Sequence, residues 1–209
     1  AETLRESGLM AAANQIVLTD AQVTVAGVEQ AFQRIGRQVQ PNDTFMFFYS
    51  GHGSQRGQSQ DERALDGIDE TLVFYDGQVV DDTMGEWFNS IQGLGVLALD
   101  ACFSGGFAKD VITQPNRMGL FSSEEDVLSS VAGQFQAGGY LSHFLRTGIS
   151  GEADNAPHDR VLTAGELSHY LFNQFGTHVR DVQLNGAWQH LVVDRGAVRS
   201  DMTLLSYAR

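Results

Sequence analysis

The sequence predicts an α/β fold with a mostly parallel central sheet. Residues 45–49 and 96–99 are continuous apolar runs, which are typical of strands buried on both faces of a parallel sheet. Segments with helical periodicity alternate with the strand candidates, as expected when helices flank both faces of such a sheet. The 209 residues are enough for one sizeable core, so residues 1–209 are treated as a single domain.

The first part of the chain contains the first of the two long strands and the elements before it. Residues 2–9 have the pattern of the end of an amphipathic helix, and residues 16–18 that of a short buried strand. Thr24 is a suitable helix cap. Behind it, apolar side chains recur at helical spacing, namely Val25, Val28, Phe32, Ile35 and Val39. After the strand at 45–49, residues 54–70 predict a polar, acidic loop.

The remaining elements follow from the same periodicities. Strand candidates lie at 71–75, 79–80, 96–99, 119–121, 191–193 and 203–207, and helix candidates at 81–91, 139–146 and 164–175. Asp81 and Asp82 suit a helix N-terminus because the helix dipole is positive there. Thr163 is a suitable cap for the helix that begins near residue 164. Residues 107–117 have a mixed composition that predicts a linker.

Composition excludes several classes of function. The chain has 26 acidic and 13 basic residues, a net charge of -13, which argues against nucleic acid and favours cationic partners. No apolar run approaches the roughly 20 residues that cross a bilayer, so no membrane partner is expected. A single cysteine, Cys102, excludes an internal disulfide and a multi-cysteine zinc site.

Reactive residues follow both long apolar strands. His52 lies between Gly51 and Gly53 after the first strand, and Cys102 follows the second. The functional crevice of an open parallel sheet lies at the carboxyl ends of its strands. His52 and Cys102 therefore face each other across a cleft if the two strands are neighbours. Glycines beside them permit a close approach of a substrate chain.

A thiol and an imidazole together can act as a nucleophile and its base. The imidazole stabilises the thiolate or takes its proton, and it can later activate water. The backbone N–H groups of Gly51, Gly53 and Cys102 are candidate donors to an oxyanion. The competing interpretation is that Cys102 is a small core residue and His52 a turn residue. Their shared position at glycine-flanked strand ends favours the catalytic pair.

Asp100 lies two residues before Cys102, close to the predicted cleft. One interpretation is a structural acid that caps a turn. The other is a charge at the floor of a pocket, where it would bind the side chain of Arg or Lys in a substrate. The acidic balance of the chain favours the second interpretation.

These residues carry a resemblance to a known family. The segments YSGHGS at 49–54 and LALDACFSGG at 97–106 resemble the caspase-type cysteine peptidases, and more closely the metacaspases and their bacterial relatives, the orthocaspases. Further segments are similar to metacaspases, namely DGIDE at 66–70, VDD at 80–82, the helix at 161–175 and the strand segment at 189–193. The resemblance covers nearly the whole chain and implies a caspase-like fold.

The resemblance implies a cysteine endopeptidase that cuts after Arg or Lys in peptides and proteins. His52 would be the general base, Cys102 the nucleophile, and Asp100 would line the pocket for the basic side chain. True caspases cut after Asp and have arginines in that pocket, so an acid before the cysteine fits the metacaspase preference. Ser122 and Ser123 follow a predicted strand and are expected to border the substrate pocket.

Many metacaspases need calcium, and the resemblance extends to the acidic residues that hold it. The matching residues here are Asp69, Asp81, Asp82 and Asp110. Calcium binds several oxygen ligands, and clustered carboxylates without a cation repel one another. The alternative is a solvated acidic loop. No organic cofactor is expected.

In this family the stretch after the nucleophile separates a large from a small portion and can be self-cleaved. The corresponding parts are residues 1–106, the linker 107–117 and residues 118–209. Lys109, the only lysine, and Arg117 lie in the linker and are the candidate self-cleavage residues.

The chain departs from the family pattern at its start. The family sheet has a central strand that would lie between the predicted strands at 16–18 and 45–49, and the sequence shows no match to it. Its absence would leave unpaired buried strand edges. We therefore expect a longer N-terminus in the native protein, or a cleaved N-terminal segment that stays bound. The first ten residues have no signal-peptide pattern.

Three interpretations of function remain open from the sequence. The leading one is the calcium-stimulated, self-processing peptidase described above. The alternative is a binding or scaffold module on the same fold that has lost catalysis. The third keeps the thiol and imidazole pair but changes the target, as in the legumain-like or separase-like peptidases. One unpaired cysteine favours a reducing, cytoplasmic location, and the family resemblance favours a monomer.

Overall fold

The computed structural model describes residues 14–57, 68–136, 138–155 and 157–207. At its centre is a sheet of four strands in the order β1, β5, β6, β10. These strands are β1 (Thr44–Ser50), β5 (Leu94–Asp100), β6 (Arg117–Phe121) and β10 (Val192–Asp194). The first three are parallel and β10 is antiparallel to β6, so the predicted α/β class with a mostly parallel sheet is confirmed.

Helices cover both faces of this sheet, because side chains of a strand point alternately to opposite sides. Leu97 and Leu99 of β5 join one apolar core, and Val96 and Ala98 join the other. The first core receives α1 (Val25–Gly36), α2 (Asp81–Asn89) and α3 (Phe107–Val111). The second core receives α4 (Tyr140–Thr147) and α5 (Ala164–His178).

Two helices begin where the sequence indicates a cap. Thr24 accepts a hydrogen bond from the Gly27 N–H at 3.0 Å, so α1 starts directly behind it. Thr163 and Glu166 bond each other's main chain in a capping box at the start of α5. These side chains satisfy N–H groups that the first helical turn would otherwise leave unbonded.

Smaller sheets surround the central one. β2 (Gly53–Gly57), β3 (Ile68–Val73) and β4 (Gln78–Val80) form an antiparallel sheet directly after β1. β7 (Val161–Thr163) pairs with β11 (Thr203–Ser206), and β8 (Gln183–Leu184) pairs with β9 (Ala187–Trp188). Among the described helices, none combines the length and apolar composition that a bilayer crossing requires.

Three predictions about elements are wrong. Residues 16–18 form no strand, and Val17 is 57% exposed, because among the described residues no strand lies beside β1 on the side away from β5. Residues 54–57 belong to β2, where pairing with β3 overrides their polar composition. Residues 107–117 are not an open linker, because they contain α3 and the first residue of β6. The predicted helix at 2–9, and Asp66 and Gly67 of DGIDE, lie outside the described residues.

Candidate active site

The two strands that end in reactive residues are neighbours in the sheet. β1 and β5 run parallel in a register that sets Ser50 beside Asp100, and the Gly51 N–H donates to the Asp100 carbonyl at 3.3 Å. His52 and Cys102 therefore leave the same end of the sheet from adjacent strands. The His52 ring is exposed, and Cys102 is half-buried.

The turn of His52 packs against the main chain of Cys102 at Gly53. A Cβ atom placed on Gly53 would lie 1.9 Å from the Cys102 carbonyl oxygen and 3.3 Å from the Cys102 nitrogen. No residue other than glycine fits such a contact without displacing the nucleophile's own backbone. The structure thus brings the histidine turn and the cysteine turn into direct contact.

Hydrogen bonds fix the main chain of His52, whereas its side chain is exposed. The His52 carbonyl accepts hydrogen bonds from the Val73 N–H at 2.9 Å and from the Tyr49 hydroxyl at 3.0 Å. Burial raises the pKa of Tyr49 to about 12, so this hydroxyl keeps its proton and remains a donor at neutral pH. Sequence reasoning missed Tyr49 as a support of His52.

The cysteine turn is supported from below by two buried serines. Ser122 Oγ accepts from the Ala101 N–H at 3.1 Å, and Ser123 Oγ donates to the Ala101 carbonyl at 3.1 Å. Phe103, directly after the nucleophile, has a left-handed φ of 59°, which turns the chain sharply away from β5. Ser122 and Ser123 are fully buried and support the Cys102 turn, and hydrogen bonding from Ser122 lowers the pKa of Asp100, so the expectation that they border the substrate pocket stays a prediction.

The thiol of Cys102 contacts a loop that the sequence did not single out. The Ser129 N–H lies 3.2 Å from the Cys102 sulfur, and the sulfur lies 3.8 Å from the Ser129 carbonyl oxygen. Gln189 is buried beside this loop, with its amide oxygen 2.9 Å from the Ser130 N–H. Ser129 lies in no motif of the sequence, and Gln189 opens the metacaspase-like segment at 189–193 with no chemical role assigned to it, so only the fold reveals the contact.

Asp100 is buried at the base of the site, with 5% of its surface exposed. Its carboxylate accepts hydrogen bonds from the Ser142 N–H at 2.7 Å and from the Ser142 hydroxyl, at the first turn of α4. A Cβ on Gly139 would lie 2.2 Å from the same carboxylate. Burial raises the pKa of Asp100, although the hydrogen bonds of the surrounding serines lower it in part.

An acidic cluster lies beside the site, where α2 meets β3 and α3. Asp81, Asp110 and Glu70 are all buried. Burial raises the pKa of Asp81 to about 7, and the negative charges of Asp110 and Glu70 add to the shift. Sequence reasoning missed Glu70. It named instead Asp69, the preceding residue of β3, whose side chain points to the opposite face of the strand.

The four acids named from the sequence are not gathered into one coordination shell. Asp69 and Asp82 are only half-buried, in contrast to Asp81 and Asp110. Within the described ranges, no group of three or more His, Cys, Asp or Glu side chains is arranged to hold a metal ion. The chemistry of the donors suits calcium, whereas their arrangement in this conformation does not form a site.

Arg117 is a structural residue and not a cleavage site. It opens β6 with 1% of its surface exposed, and its guanidinium donates to the Gly93 carbonyl at 2.8 Å and to the Ile91 carbonyl. The same group lies 5.3 Å from the ring centres of Phe45 and Phe88. The prediction of self-cleavage after Arg117 is therefore wrong for the folded protein, because a central strand cannot enter a protease groove.

Lys109 lies in helix α3 and not in an extended linker. Its ammonium group lies 2.6 Å from a carboxylate oxygen of Glu125 and 4.0 Å from one of Glu70. Cleavage after Lys109 would require this helix and these ion pairs to open first.

Comparison with known proteins agrees with this geometry. Residues 7–110, close to half of the chain, match the family model "Metacaspase, peptidase C14 domain". The matched segment contains both His52 and Cys102.

Curated relatives are metacaspases of fungi. Metacaspase-1 of Ajellomyces capsulatus is 30% identical over 183 residues, which cover 81% of this chain and 50% of the relative. Metacaspase-1 of Saccharomyces cerevisiae strain YJM789 is 27% identical over 223 residues, covering 91% of this chain and 51% of the relative. Metacaspase-1 of Schizosaccharomyces pombe is 39% identical over 104 residues, covering 43% of this chain and 24% of the relative. The chain thus spans about half or less of the length of these relatives.

Solved structures show the same fold. Protein GSU0716 from Geobacter sulfurreducens matches with a TM-score of 0.59 at 17% identity, over 95% of this chain and 86% of its own. Caspase-1 from Spodoptera frugiperda matches with a TM-score of 0.53 at 11% identity, over 92% of this chain and 73% of its own. The family-model match and the fungal relatives, together with this caspase-like fold, show that the chain belongs to the metacaspase family of C14 peptidases.

Proposed function

We propose that the protein is a cysteine endopeptidase with Cys102 as nucleophile and His52 as its base. The observation that carries the proposal is the contact between the two turns. Gly53, next to His52, lies against the main chain of Cys102 so closely that no Cβ atom fits. This contact brings the turn of the exposed His52 against the turn of the half-buried Cys102 at the end of a parallel sheet, where enzymes of this architecture bind their substrates.

The reaction follows from the chemistry of this pair. The thiolate of Cys102 attacks the substrate carbonyl carbon, and a sulfur–carbon bond forms. The N–H groups of Cys102 and Gly53 are proposed to bind the resulting oxyanion. Protonated His52 then gives its proton to the leaving amine as the carbon–nitrogen bond breaks. Water then attacks the thioester while His52 accepts a proton from it. The carbon–sulfur bond breaks, the acid product is released, and the Cys102 sulfur takes a proton back from His52.

Asp100 is proposed to select Arg or Lys at the cut site. It is a buried carboxylate at the base of the site, and burial disfavours its ionised form. A guanidinium or ammonium group that enters the pocket would favour the ionised form and form a charge-assisted hydrogen bond. In this conformation Ser142 occupies the carboxylate, so the substrate has to share or displace that contact.

Cleavage of fluorogenic peptides tests this function. Peptides with Arg, Lys or Asp at the cut position, and otherwise identical, are compared with wild type, Cys102→Ala and Asp100→Asn. We expect cleavage after Arg and Lys that is lost in Cys102→Ala and reduced by roughly 100-fold or more in Asp100→Asn, the loss of one buried charge contact. Cleavage after Asp alone would refute the role of Asp100. Activity of Cys102→Ala would refute the nucleophile.

Calcium is proposed as the ion that stimulates this activity. The support is the repulsion between Asp81 and Asp110, both buried, which a divalent cation would relieve. Bound calcium would supply positive charge to these carboxylates, with Asp82 as a further ligand, whereas Asp69 lies on the opposite face of β3 from Glu70 and is left out of the proposed set. Because these acids form no coordination shell among the described residues, binding requires them to move together.

Calorimetric titration with calcium tests the binding without any need for activity. We expect heat of binding with wild type and none with Asp81→Asn. Asp181→Asn serves as the matched control, because Asp181 is an exposed acid outside the cluster. Equal binding by wild type and Asp81→Asn would refute the site.

A further inference from the structure

A loop contacts the nucleophile and is hydrogen-bonded to one side chain that is distant in sequence. The loop, here named the strap, consists of residues 127–130. The Phe103 N–H donates to the Val127 carbonyl at 2.9 Å, and Val127 is buried. Two residues further on, the Ser129 N–H lies 3.2 Å from the Cys102 sulfur. The strap is therefore bonded to the nucleophile turn at two residues, Val127 and Ser129.

Ser129 links the nucleophile to the serines around the pocket acid. Its hydroxyl lies 2.8 Å from the Ser122 hydroxyl, and hydrogen bonding from Ser122 and Ser129 contributes to the pKa of Asp100. One strap residue is thus bonded both to the thiol and to a serine next to the proposed specificity residue. While its N–H is bonded to the sulfur, Ser129 contacts the atom that has to attack, so a substrate carbonyl has to approach the sulfur from another side or displace Ser129.

Gln189 bonds the strap to the residue that follows β6. It is 1% exposed and precedes β10, about 60 residues away in sequence. Its amide oxygen accepts from the Ser130 N–H at 2.9 Å, and its amide nitrogen donates to the Ser122 carbonyl at 2.8 Å and to Ser129 Oγ at 3.2 Å. A buried amide bonded through both its atoms is costly to break, because each freed group would remain unsatisfied.

From these contacts we propose that Gln189 is a positioning residue, a latch that keeps the strap closed over Cys102 until a substrate displaces it. The inference deepens the proposed function, since it assigns a regulation to the same site. In the closed state the Ser129 N–H engages the sulfur that has to attack. The apparent affinity for substrate is the intrinsic affinity multiplied by the fraction of molecules that are open, so a weakened latch raises the apparent affinity.

The rate of alkylation of Cys102 by iodoacetamide measures the opening of the strap. Cys102 is the only cysteine, so the modification reports on this site alone. We expect Gln189→Leu to react about tenfold faster than wild type, as a larger open fraction implies. Ser129→Ala, which removes only the hydroxyl contacts of the strap, is expected to react a few-fold faster. Gln183→Leu is the matched control, because Gln183 is an exposed glutamine in the β8–β9 hairpin.

A second readout separates a latch from a merely structural role. Urea unfolding identifies the conditions in which each variant is fully folded, and the gain in alkylation has to persist there. With an Arg peptide, Gln189→Leu is expected to lower KM with little change in kcat. The latch is refuted if folded Gln189→Leu reacts no faster with iodoacetamide than Gln183→Leu. Where Gln189→Leu does not fold, Ser129→Ala is compared with Gln183→Leu in its place. Faster alkylation without any peptidase activity would leave the latch standing and refute the proposed function.

Discussion

At the scale of single residues, Gly53 shows how closely the two catalytic turns are fitted together. Ala at this position would put a methyl group 1.9 Å from the Cys102 carbonyl oxygen, which the backbone can avoid only by moving. We expect Gly53→Ala to lower kcat/KM by at least 100-fold, because a displacement of about 1 Å in the reacting groups costs that much.

Gly176→Ala is the matched control for Gly53→Ala. Gly176 lies in α5, and a Cβ there meets no atom within 4 Å. The alanine is expected to raise the free energy of unfolding by about 0.5–1 kcal/mol, because it favours the helix, with no change in activity. Equal activity of Gly53→Ala and Gly176→Ala would show that the contact with Cys102 does not matter.

The buried carboxyl of Asp100 makes the stability of the protein depend on pH. Burial raises the pKa of Asp100 above its ordinary value of 3.8, so the folded protein retains a proton that the unfolded chain has already released. The stability contributed by Asp100 is therefore fully present below pH 3.8 and is lost as the pH rises through the folded-state pKa. Asp100→Asn does not lose this contribution, because its amide does not titrate.

The measurement is the Tm of wild type and Asp100→Asn from about pH 4 to pH 8. We expect the Tm of Asp100→Asn to rise steadily relative to the Tm of wild type as the pH rises. The exposed Asp181→Asn variant should show no such trend relative to wild type. A difference between Asp100→Asn and wild type that stays constant over this range would mean that Asp100 is not protonated in the fold.

At the scale of elements, Arg117 joins β6 to the end of α2. Its guanidinium bonds to the carbonyls of Ile91 and Gly93, just beyond the helix, where a cation also interacts well with the helix dipole. Removal of the guanidinium leaves these buried carbonyls without their donor. We expect Arg117→Met to lower the free energy of unfolding by about 2–4 kcal/mol.

Urea unfolding checks the prediction for Arg117, with Arg180→Met as control. Arg180 forms an ion pair with Asp181, and both side chains are mostly exposed, so this substitution should change stability by less than about 0.5 kcal/mol. If Arg117→Met were as stable as Arg180→Met, Arg117 would not be the structural residue described here.

The elements also show what a sequence can and cannot predict. The long strands β1 and β5 and the helices α1 and α5 were predicted because apolar periodicity and caps are local signals. The strand β2 was missed because its polar residues are held by pairing with β3, which is not a local signal. The strand expected at 16–18 does not form, because an apolar run becomes a strand only beside a partner.

At the scale of the whole molecule, the site lies where the two cores and the central sheet end together. β5 is buried along its full length and divides the cores, so Asp100 and Cys102 emerge at a fixed place between them. His52 and Cys102 could be predicted because strand ends and glycines mark them in the sequence. Ser129 and Gln189 could not, since their importance comes from contacts between distant segments.

The central claim is that Cys102 and His52 act together on a substrate with a basic side chain. The most direct test is mass spectrometry of the intact protein after reaction with a peptide whose terminal Arg carries a thiol-reactive ketone. One adduct, on Cys102, is expected in wild type, with a rate at least 100-fold lower in His52→Ala or when the terminal Arg is replaced by Asp. Absence of the adduct, or an equal rate in wild type and His52→Ala, would contradict the account.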